Sequence, residues 1–225
     1  MRYLVLSTAA FQLVRSASPE WQRAHQLQPL RPAKEAVISE VKNSARTVLI
    51  FGVVLGSLLS PLVLPFTKIS VSGEGLSWIW MGASFFLLLL IHDSYFYFMH
   101  LLMHTNRFLR QFHHIHHRST NPTPYASQSF HWVEAVLEII WIVPVVFLVP
   151  LSRGTLIAFS FFTIIYNIYG HLGYEILSSR ARSGPWLRYF NTSTHHNLHH
   201  KNYLSGNYGL YFLFWDKFFK TEKLS

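Results

Sequence analysis

Long apolar runs separated by short polar segments dominate the pattern of this chain. The first, Val48 to Phe66, holds 19 uncharged and mainly apolar residues. As a helix it would extend roughly 28 Å, close to the roughly 30 Å hydrocarbon core of a bilayer. The pattern therefore predicts a first membrane span, bent near Pro61.

A second apolar helix is predicted to begin at Leu76 to Ile91 and to continue through His104. Its first part is purely apolar, as a lipid-exposed segment requires. The polar groups of His92, Asp93, His100 and His104 fall in the part that is expected to emerge from the membrane.

A second pair of apolar segments follows, Ile139 to Leu151 and Thr155 to Tyr169, joined by residues 152–154. Each is somewhat short for a span perpendicular to the membrane, and Pro144 interrupts the first. The pair predicts either a full transmembrane hairpin or a shallower one kinked at the proline. In both cases the polar segments on its two sides share one face of the membrane.

The N-terminal region differs from the rest because it is basic and broken by prolines. Its apolar stretch Tyr3 to Val14 is too short to span, which favours an interfacial helix. We expect residues 1–47 to form a cytoplasmic or interfacial region and residues 48–225 to form one membrane-embedded domain. The prolines and basic residues of this region are Pro19, Pro29, Pro32, Arg2, Arg15, Arg23, Arg31, Lys34, Lys42 and Arg46.

Composition supports a membrane protein, since 50% of the 225 residues are hydrophobic and only 13% are charged. The formal net charge of +9 lies in segments that flank the apolar runs, which favours anionic lipid headgroups over nucleic acid as partner. Of the basic residues outside the apolar segments, only Lys68 and Arg153 lie on the turn side. Both termini are therefore expected in the cytoplasm, at a bacterial inner membrane or an endoplasmic reticulum. The absence of cysteine excludes disulfides and thiolate metal sites.

The predicted fold is all-α, with about four transmembrane or membrane-embedded helices in two hairpins. A cytoplasmic helical cap is expected to carry the histidine motifs. Fourteen histidines are present, and most occur in short clusters. Three clusters have helical spacing, so that their imidazoles can share a face and chelate a metal. A single such pair is usually accidental, but three on the same predicted side are not. They are His100 with His104, His113 with His116 and His117, and His196 with His199 and His200.

Further polar residues lie beside these motifs. His171, at the end of the last apolar segment, is expected to join the ligands. Eight or nine imidazoles exceed the needs of one ion and indicate two metals, for which iron, zinc or copper suits a nitrogen-rich set. The candidates for additional ligands or for groups that orient the ligands are His92, Asp93, His131, Glu134, Glu175 and His195.

The segments HDSYFYFMHLLMH, FHHIHHRSTNPTPYASQSFHWVEA and HHNLHHKNYLSGNYGLYFLFWDKFF resemble the motifs of the fatty acid hydroxylase and sterol desaturase superfamily. The resemblance covers roughly residues 76 to 220. It implies a helical membrane enzyme whose histidines hold two iron ions, with O2 as co-substrate, and attack an unactivated C–H bond of a lipid. Glu175 stands where hydroxylases with a double-histidine version of this segment have a second imidazole. The implied catalytic and metal-binding residues are His100, His104, His113, His116, His117, His196, His199 and His200, joined as a metal ligand by His171.

The leading hypothesis is an O2-dependent hydroxylase or desaturase acting on a sterol or sterol-like lipid. A hydroxylase of sphingoid, fatty acyl or carotenoid substrates is the alternative within the same chemistry, because the motifs specify the reaction and not the lipid. A metal carrier or sensor is a third reading, but the apolar segments lack the ionisable residues that transport usually requires. No haem-binding domain is visible, so electrons are expected from a separate cytochrome b5-like or ferredoxin-like donor with its reductase.

Overall fold

The structure, a computed structural model, describes residues 2–28, 32–202 and 206–223, so Pro29 and Arg31 lie outside the described residues. The described chain is mostly helical, as predicted. The parallel strands β1 (Ile69–Ser70) and β2 (Leu151–Ser152) form a two-residue pairing. The helices are α1 (Arg2–Ser16), α2 (Pro19–His25), α3 (Lys34–Leu58), α4 (Trp78–Thr105), α5 (Arg107–His117), α6 (Trp132–Ile140), α7 (Ile142–Leu148), α8 (Arg153–Gly170), α9 (Ser179–Arg182), α10 (Ser193–Lys201) and α11 (Phe214–Phe218), with 3-10 turns at Leu64–Phe66, Pro124–Gln128 and Leu187–Tyr189.

Helix α3 differs from the predicted first span at both ends. It begins at Lys34, well before Val48, and ends at Leu58 instead of bending at Pro61. The chain turns before the proline because a proline nitrogen cannot donate the next helical hydrogen bond. Helix α3 therefore crosses the boundary predicted between residues 47 and 48, and that domain division stays a prediction.

Helix α4 runs unbroken over 28 residues, as predicted. The side chain of Ser77 caps its first turn, and at about 1.5 Å per residue its length of about 42 Å exceeds a hydrocarbon core. Within the described residues, α3 and α4 are the two helices long and apolar enough to cross a membrane. His100 and His104 lie in the last two turns of this helix.

The second hairpin is interrupted, which favours the shallower of the two alternatives for its first half. Helices α6 and α7 break at Trp141 and extend only nine and seven residues, whereas α8 is continuous over 18. The pairing of β1 with β2 brings the turn after α3 beside the turn before α8. Lys68 donates its backbone N–H to Val146 O and accepts from Leu151 N. Both turns thus meet at one end of the structure, and the side of the membrane that they face stays a prediction.

The core lies between α4, α7 and α8 and encloses the C-terminal segment after residue 206. Tyr211 is fully buried, and its backbone N–H donates to the Asp93 carboxylate at 2.7 Å. Its carbonyl accepts from the Tyr166 hydroxyl at 2.9 Å. These bonds satisfy backbone groups in an apolar interior and hold the C-terminal segment against α4 and α8, close to the histidine helices.

Candidate metal centre

The histidine motifs converge because α5 turns back directly after α4. The Asn106 side chain accepts from the backbone N–H groups of Phe108 and Leu109, and Asn106 is the single residue between α4 and α5. Asparagine is a favoured residue at this position because its oxygen satisfies the first free helical donors. The imidazoles at the end of α4 therefore face those of α5.

One group, here called the five-histidine set, consists of buried imidazoles from three helices. His104 Nε2 lies 3.2 Å from His100 Nε2 and 3.0 Å from His113 Nε2. His117 Nε2 lies 3.0 Å from His113 Nε2 and 3.1 Å from His199 Nε2. The facing nitrogens of the whole set lie within 4.8 Å of one another.

A second group, the four-histidine set, lies beside the first. His196 Nε2 is 3.0 Å from His171 Nε2 and 3.1 Å from His200 Nε2. His171 Nε2 lies 3.4 Å from His116 Nε2. The rings of His117 and His200, one from each set, have centroids 4.8 Å apart, so the two sets are adjacent.

Each HxxHH motif divides between the two sets. In α5 the i, i+4 pair His113 and His117 joins the five-histidine set, and His116 joins the other. Helix α10 shows the reverse, since its i, i+4 pair His196 and His200 joins the four-histidine set and His199 joins the five-histidine set. Neighbouring residues on a helix point about 100° apart, so the adjacent histidines of a motif serve different centres. Sequence spacing alone had suggested convergence on one point in front of each helix.

Backbone carbonyl oxygens fix the orientation of several rings through their second nitrogens. His100 Nδ1 lies 2.9 Å from Tyr208 O, and His199 Nδ1 lies 2.8 Å from Gly206 O. In the four-histidine set, His171 Nδ1 lies 2.8 Å from Asn167 O and His200 Nδ1 lies 3.1 Å from Ser119 O. Each Nδ1 donates its proton to a carbonyl, which leaves the Nε2 lone pair directed into the set.

Electrostatics favour neutral imidazoles throughout the centre. Burial lowers the pKa of His113 and of His199 to about 3. Burial, assisted by neighbouring histidines, holds the pKa values of His116, His117, His196 and His200 well below the ordinary value. At neutral pH these rings therefore present lone pairs and not charges, which is the form that binds metals.

The donor sets fit two metal ions. Lone pairs that face one another at 3.0–3.4 Å repel unless a cation lies between them. Around an ion with metal–nitrogen bonds of about 2.1 Å, adjacent ligands at right angles are separated by about 3 Å, as here. Neutral nitrogen donors without thiolates suit iron, zinc or copper.

Glu134 is the carboxylate of this centre. Its Oε1 accepts the Nδ1 proton of His113 at 2.7 Å, and both side chains are almost fully buried. A carboxylate behind a ligand imidazole fixes the ring and increases its basicity. Glu134 thus contacts His113, whereas the sequence places it only three residues after His131, and its role as an orienting carboxylate stays a prediction.

His92 and Asp93 lie outside both sets. His92 Nδ1 lies 2.9 Å from the Tyr211 hydroxyl, and its ring stacks on Trp141 with centroids 4.5 Å apart. Asp93 accepts backbone N–H groups of Tyr211 and Phe212 and contacts no ligand imidazole through these bonds. Both residues anchor the C-terminal segment through these contacts. They do not reach the histidine sets because they lie two turns before His100 on α4.

His131 and His195 also serve the backbone of their own helices. His131 Nδ1 accepts from Val133 N at the start of α6, and its ring stacks on Phe112. His195 Nδ1 accepts from Thr192 N and completes a reciprocal cap of α10. Neither belongs to the five- or four-histidine set.

Glu175 also lies outside both sets, because α8 ends at Gly170 and no helical turn connects it to His171. Its carboxylate accepts from Thr194 N at 3.1 Å and from the Thr194 hydroxyl at 2.7 Å. Tyr169 donates to its other oxygen at 2.8 Å. Glu175 therefore fixes the first turn of α10, the helix that carries three ligand histidines.

Sequence reasoning did not single out Tyr208. Its buried ring lies 5.1 Å from that of His104 and 5.6 Å from that of His100 between centroids. The NYG triplet that contains it was the available signal. The carbonyl partners, such as those of Ser119 and Gly206, carry no sequence signal because every residue has a carbonyl.

Comparisons with known proteins identify the family of this chain. Residues 85–221 match the fatty acid hydroxylase family model. The chain belongs to this family. The matched residues contain both histidine sets and Glu134.

Curated relatives of the chain act on sterols according to their names. It is 31% identical to the Delta(7)-sterol 5(6)-desaturase ERG3B of Gibberella zeae over 74% of this chain and 52% of the relative. It is 29% identical to the Delta(7)-sterol 5(6)-desaturase erg3C of Aspergillus fumigatus over 68% of the chain and 52% of the relative. It is 27% identical to methylsterol monooxygenase 1 of Rattus norvegicus over 59% of the chain and 44% of the relative. The chain spans about half the length of the first two relatives, and no solved structure matches it significantly.

Proposed function

We propose that this protein is an O2-dependent di-iron oxidoreductase, a hydroxylase or desaturase, that acts on a C–H bond of a sterol or sterol-like lipid. The observation that carries the proposal is the convergence of nine buried imidazoles in two adjacent sets. Membership of the fatty acid hydroxylase family and similarity to sterol desaturases and a methylsterol monooxygenase support the reaction and substrate class.

Within this proposal, the five-histidine set would hold one iron and the four-histidine set the other. The two irons, when bound, would supply the redox chemistry that activates O2 and cleaves an aliphatic C–H bond. The chain's own residues bind and orient. Glu134 fixes His113, and the carbonyl groups of Gly206 and Ser119 fix His199 and His200.

The surroundings of the centre would exclude water and admit an apolar substrate. All nine imidazoles are less than a tenth exposed. The two ligand histidines of α4 follow directly after the apolar part of the same helix. The last histidine of α4 lies 26 residues after Trp78, or about 39 Å along the helix, just beyond a core about 30 Å thick. A lipid could thus approach the centre from the bilayer without crossing bulk water.

We propose further that the centre faces the cytoplasm and that a separate electron donor, cytochrome b5-like or ferredoxin-like, delivers the electrons. The basic residues concentrate on the side of the chain that carries the histidine helices, away from Lys68 and Arg153.

Purified protein tests the proposal directly. Two irons per chain are expected by elemental analysis, with Mössbauer spectra of 57Fe-loaded protein showing nitrogen-ligated iron. After anaerobic reduction and addition of O2, a supplied sterol should gain a hydroxyl group or a double bond in a mass spectrum. Iron binding with no oxidation of any sterol, sphingoid, fatty acyl or carotenoid lipid would refute the enzyme and favour a metal-binding protein. A comparison of lipids in cells with and without the gene would identify the substrate.

A further inference from the structure

Several exposed aromatic side chains lie near one another in the C-terminal part of the chain. We define the C-terminal aromatic patch as Trp186, Tyr189, Phe214, Phe218 and Phe219. Trp186 is 81% exposed and Phe218 is 66% exposed. Phe218 lies 4.9 Å from Phe219 and 6.4 Å from Phe214 between ring centroids, and Leu213 N donates to Tyr189 O, which joins the two parts.

Cationic side chains accompany the patch. The Arg188 guanidinium lies 4.9 Å from the centroid of the Tyr189 ring, and Lys217 Nζ lies 5.9 Å from it. Lys217 pairs with Glu222 at 2.6 Å, which compensates its charge within the protein. Arg188 and Lys220 are exposed and have no ion-pair partner among the residues that the structure describes. The patch therefore carries net positive charge beside exposed aromatic rings.

The depth of the patch follows from its contacts with α4. The half-buried indole of Trp215 donates to Ser94 Oγ at 3.1 Å, and the Phe219 ring lies 5.9 Å from that of Phe98. These contacts lie 16 and 20 residues after Trp78, or about 24 and 30 Å along the helix. Trp78 is 85% exposed at the other end of α4, where a tryptophan suits the opposite interface. A helix that entered a hydrocarbon core about 30 Å thick at Trp78 would leave it at the level of the patch.

Among possible occupants, the chemistry favours lipid headgroups over a protein. Aromatic residues and Arg are common at both kinds of surface, but Lys is depleted in protein–protein interfaces and is typical of segments that lie at a bilayer surface. Cations close to a membrane gain free energy from anionic headgroups, and aromatic rings prefer the same layer. We propose that the C-terminal aromatic patch lies in the headgroup layer and binds anionic lipid through Arg188 and Lys220.

Binding of lipid at the patch requires neither the metal nor the substrate. The C-terminal segment would thus have two roles, one at the bilayer surface and one in the interior of the protein. Asp216 accepts from Tyr208 N and Gly209 N on its inner side, next to the five-histidine set, while Phe214 and Phe218 face outwards. The same short helix would thus fix the height of the metal centre above the bilayer.

The absence of native cysteine makes a depth measurement simple. Phe218→Cys, labelled with a bimane fluorophore, is reconstituted into bilayers that contain lipids brominated at defined chain positions. We expect quenching to be strongest for bromines near the headgroup and weak for aqueous iodide. Gln111→Cys, at an exposed position of α5 outside the patch, is the control and should show the reverse. Quenching of the Phe218 probe by iodide alone, or by neither quencher because a protein or a second copy covers it, would overturn the inference.

A second measurement tests the charge. Replacing zwitterionic lipid by phosphatidylglycerol should change the emission of the Phe218 probe at low lipid fraction. In Arg188→Gln/Lys220→Gln the required fraction should rise about 25-fold, the product of about fivefold for each cation. The control Lys68→Gln/Arg153→Gln removes two cations from the opposite end and should leave the response unchanged. An equal response in both double variants would show that no specific anionic lipid site exists at the patch.

Discussion

Glu134 holds His113 by a buried hydrogen bond of 2.7 Å, from a helix that supplies no metal ligand of its own. The bond orients one imidazole of the five-histidine set from the side opposite to the expected metal. It also accounts for the burial of this carboxyl group, since a buried ionisable group is stable only with a partner.

Removal of this carboxylate should weaken metal binding at one site only. Glu134→Ala leaves the Nδ1 proton of His113 without an acceptor, and loss of such a partner typically costs about 10–100-fold in metal affinity. We expect one of the two metals to dissociate at about 10–100-fold higher free metal concentration, as followed by competition with a chelator. The other metal should bind as before.

Glu138 provides the control for this change. Glu138 lies one turn further along α6, and Glu138→Gln removes a second carboxyl group of the same helix without touching a hydrogen bond to a ligand imidazole. It should retain both metal affinities. If Glu134→Ala and Glu138→Gln bind both metals equally well, the orienting role of Glu134 is wrong.

The division of the histidines into two sets predicts selective loss of metal. His104→Ala removes a donor of the five-histidine set, and His196→Ala removes one of the four-histidine set. Each variant should retain about one metal per chain, and the double variant should retain none. Elemental analysis after gel filtration measures the stoichiometry, with His114→Ala on α5, outside both sets, as the control.

A different result would point to another arrangement. A mononuclear site shared by all the motifs would lose its metal completely in either single variant. Activity should be abolished in both single variants, because the proposed oxidation requires two irons. Full activity in either variant would contradict the proposed function, though not the two sets.

The histidine centre illustrates what could be predicted from the sequence. The nine imidazoles brought together by the structure are those selected from motif spacing and family resemblance, because helical spacing is a local property. The assignment of His116 and His199 to opposite sets could not be predicted, because it depends on how α5 and α10 face each other. The roles of Asp93 and Glu175 as acceptors of backbone hydrogen bonds could not be predicted either, since their partners lie 118 and 19 residues away in the sequence.

The fold shows the same division between local and long-range information. Helix α4 follows its apolar run and its Ser77 cap, and it was predicted nearly to the residue. Helix α3 was predicted poorly at its start because its polar residues Glu40 and Ser44 do not face solvent. They are buried against the segment after α5, with Ser44 Oγ donating to Tyr125 O at 2.7 Å. Only the tertiary contact makes a helix with these polar residues favourable.

Glu40 yields a prediction for the N-terminal region, which lies outside the residues matched by the family model. Its carboxylate accepts from the Thr123 hydroxyl, and its Oε1 has no hydrogen-bond partner within the described part of the chain. Glu40→Gln keeps an acceptor for Thr123 and removes an ionisable group from a buried position. Its melting temperature in detergent should equal or exceed that of the parent protein.

Glu40→Ala is expected to behave in the opposite way. It leaves the Thr123 hydroxyl unpaired, at a cost of about 1–3 kcal/mol, so its melting temperature should fall. Melting is followed by the fluorescence of the tryptophans in both variants. A decrease in Glu40→Gln as large as that in Glu40→Ala would show that the negative charge itself stabilises the fold.

Cysteine labelling tests the proposed orientation in the membrane. Ser72 lies in the turn after β1 and Ser183 follows α9, and both are exposed. Ser72→Cys should react with an impermeant maleimide added to intact cells, and Ser183→Cys should react only after lysis. Ser205, on the same predicted side as Ser183, lies outside the described residues. The opposite labelling pattern would place the centre outside the cytoplasm.

Glu175 gives a prediction that depends on pH. Burial alone would raise the pKa of its carboxyl, but hydrogen bonds from Thr194, Leu177 N and Tyr169 together lower that pKa below the ordinary value of 4.5. A carboxylate with a lowered pKa stabilises the folded state fully above the pKa of the unfolded chain. This contribution is lost as the pH falls through the folded pKa, when the group becomes protonated.

Glu175→Gln should therefore destabilise the protein at pH 7, because an amide nitrogen cannot accept the bonds made by one carboxylate oxygen. An unpaired buried donor costs about 1–3 kcal/mol, and the difference from the parent protein should shrink below about pH 4. Denaturant unfolding in detergent at several pH values measures it, with exposed Glu74→Gln as the control. Metal stoichiometry should remain two per chain, because Glu175 lies outside both histidine sets. Loss of one metal at unchanged stability would instead make Glu175 a ligand and contradict the position found here.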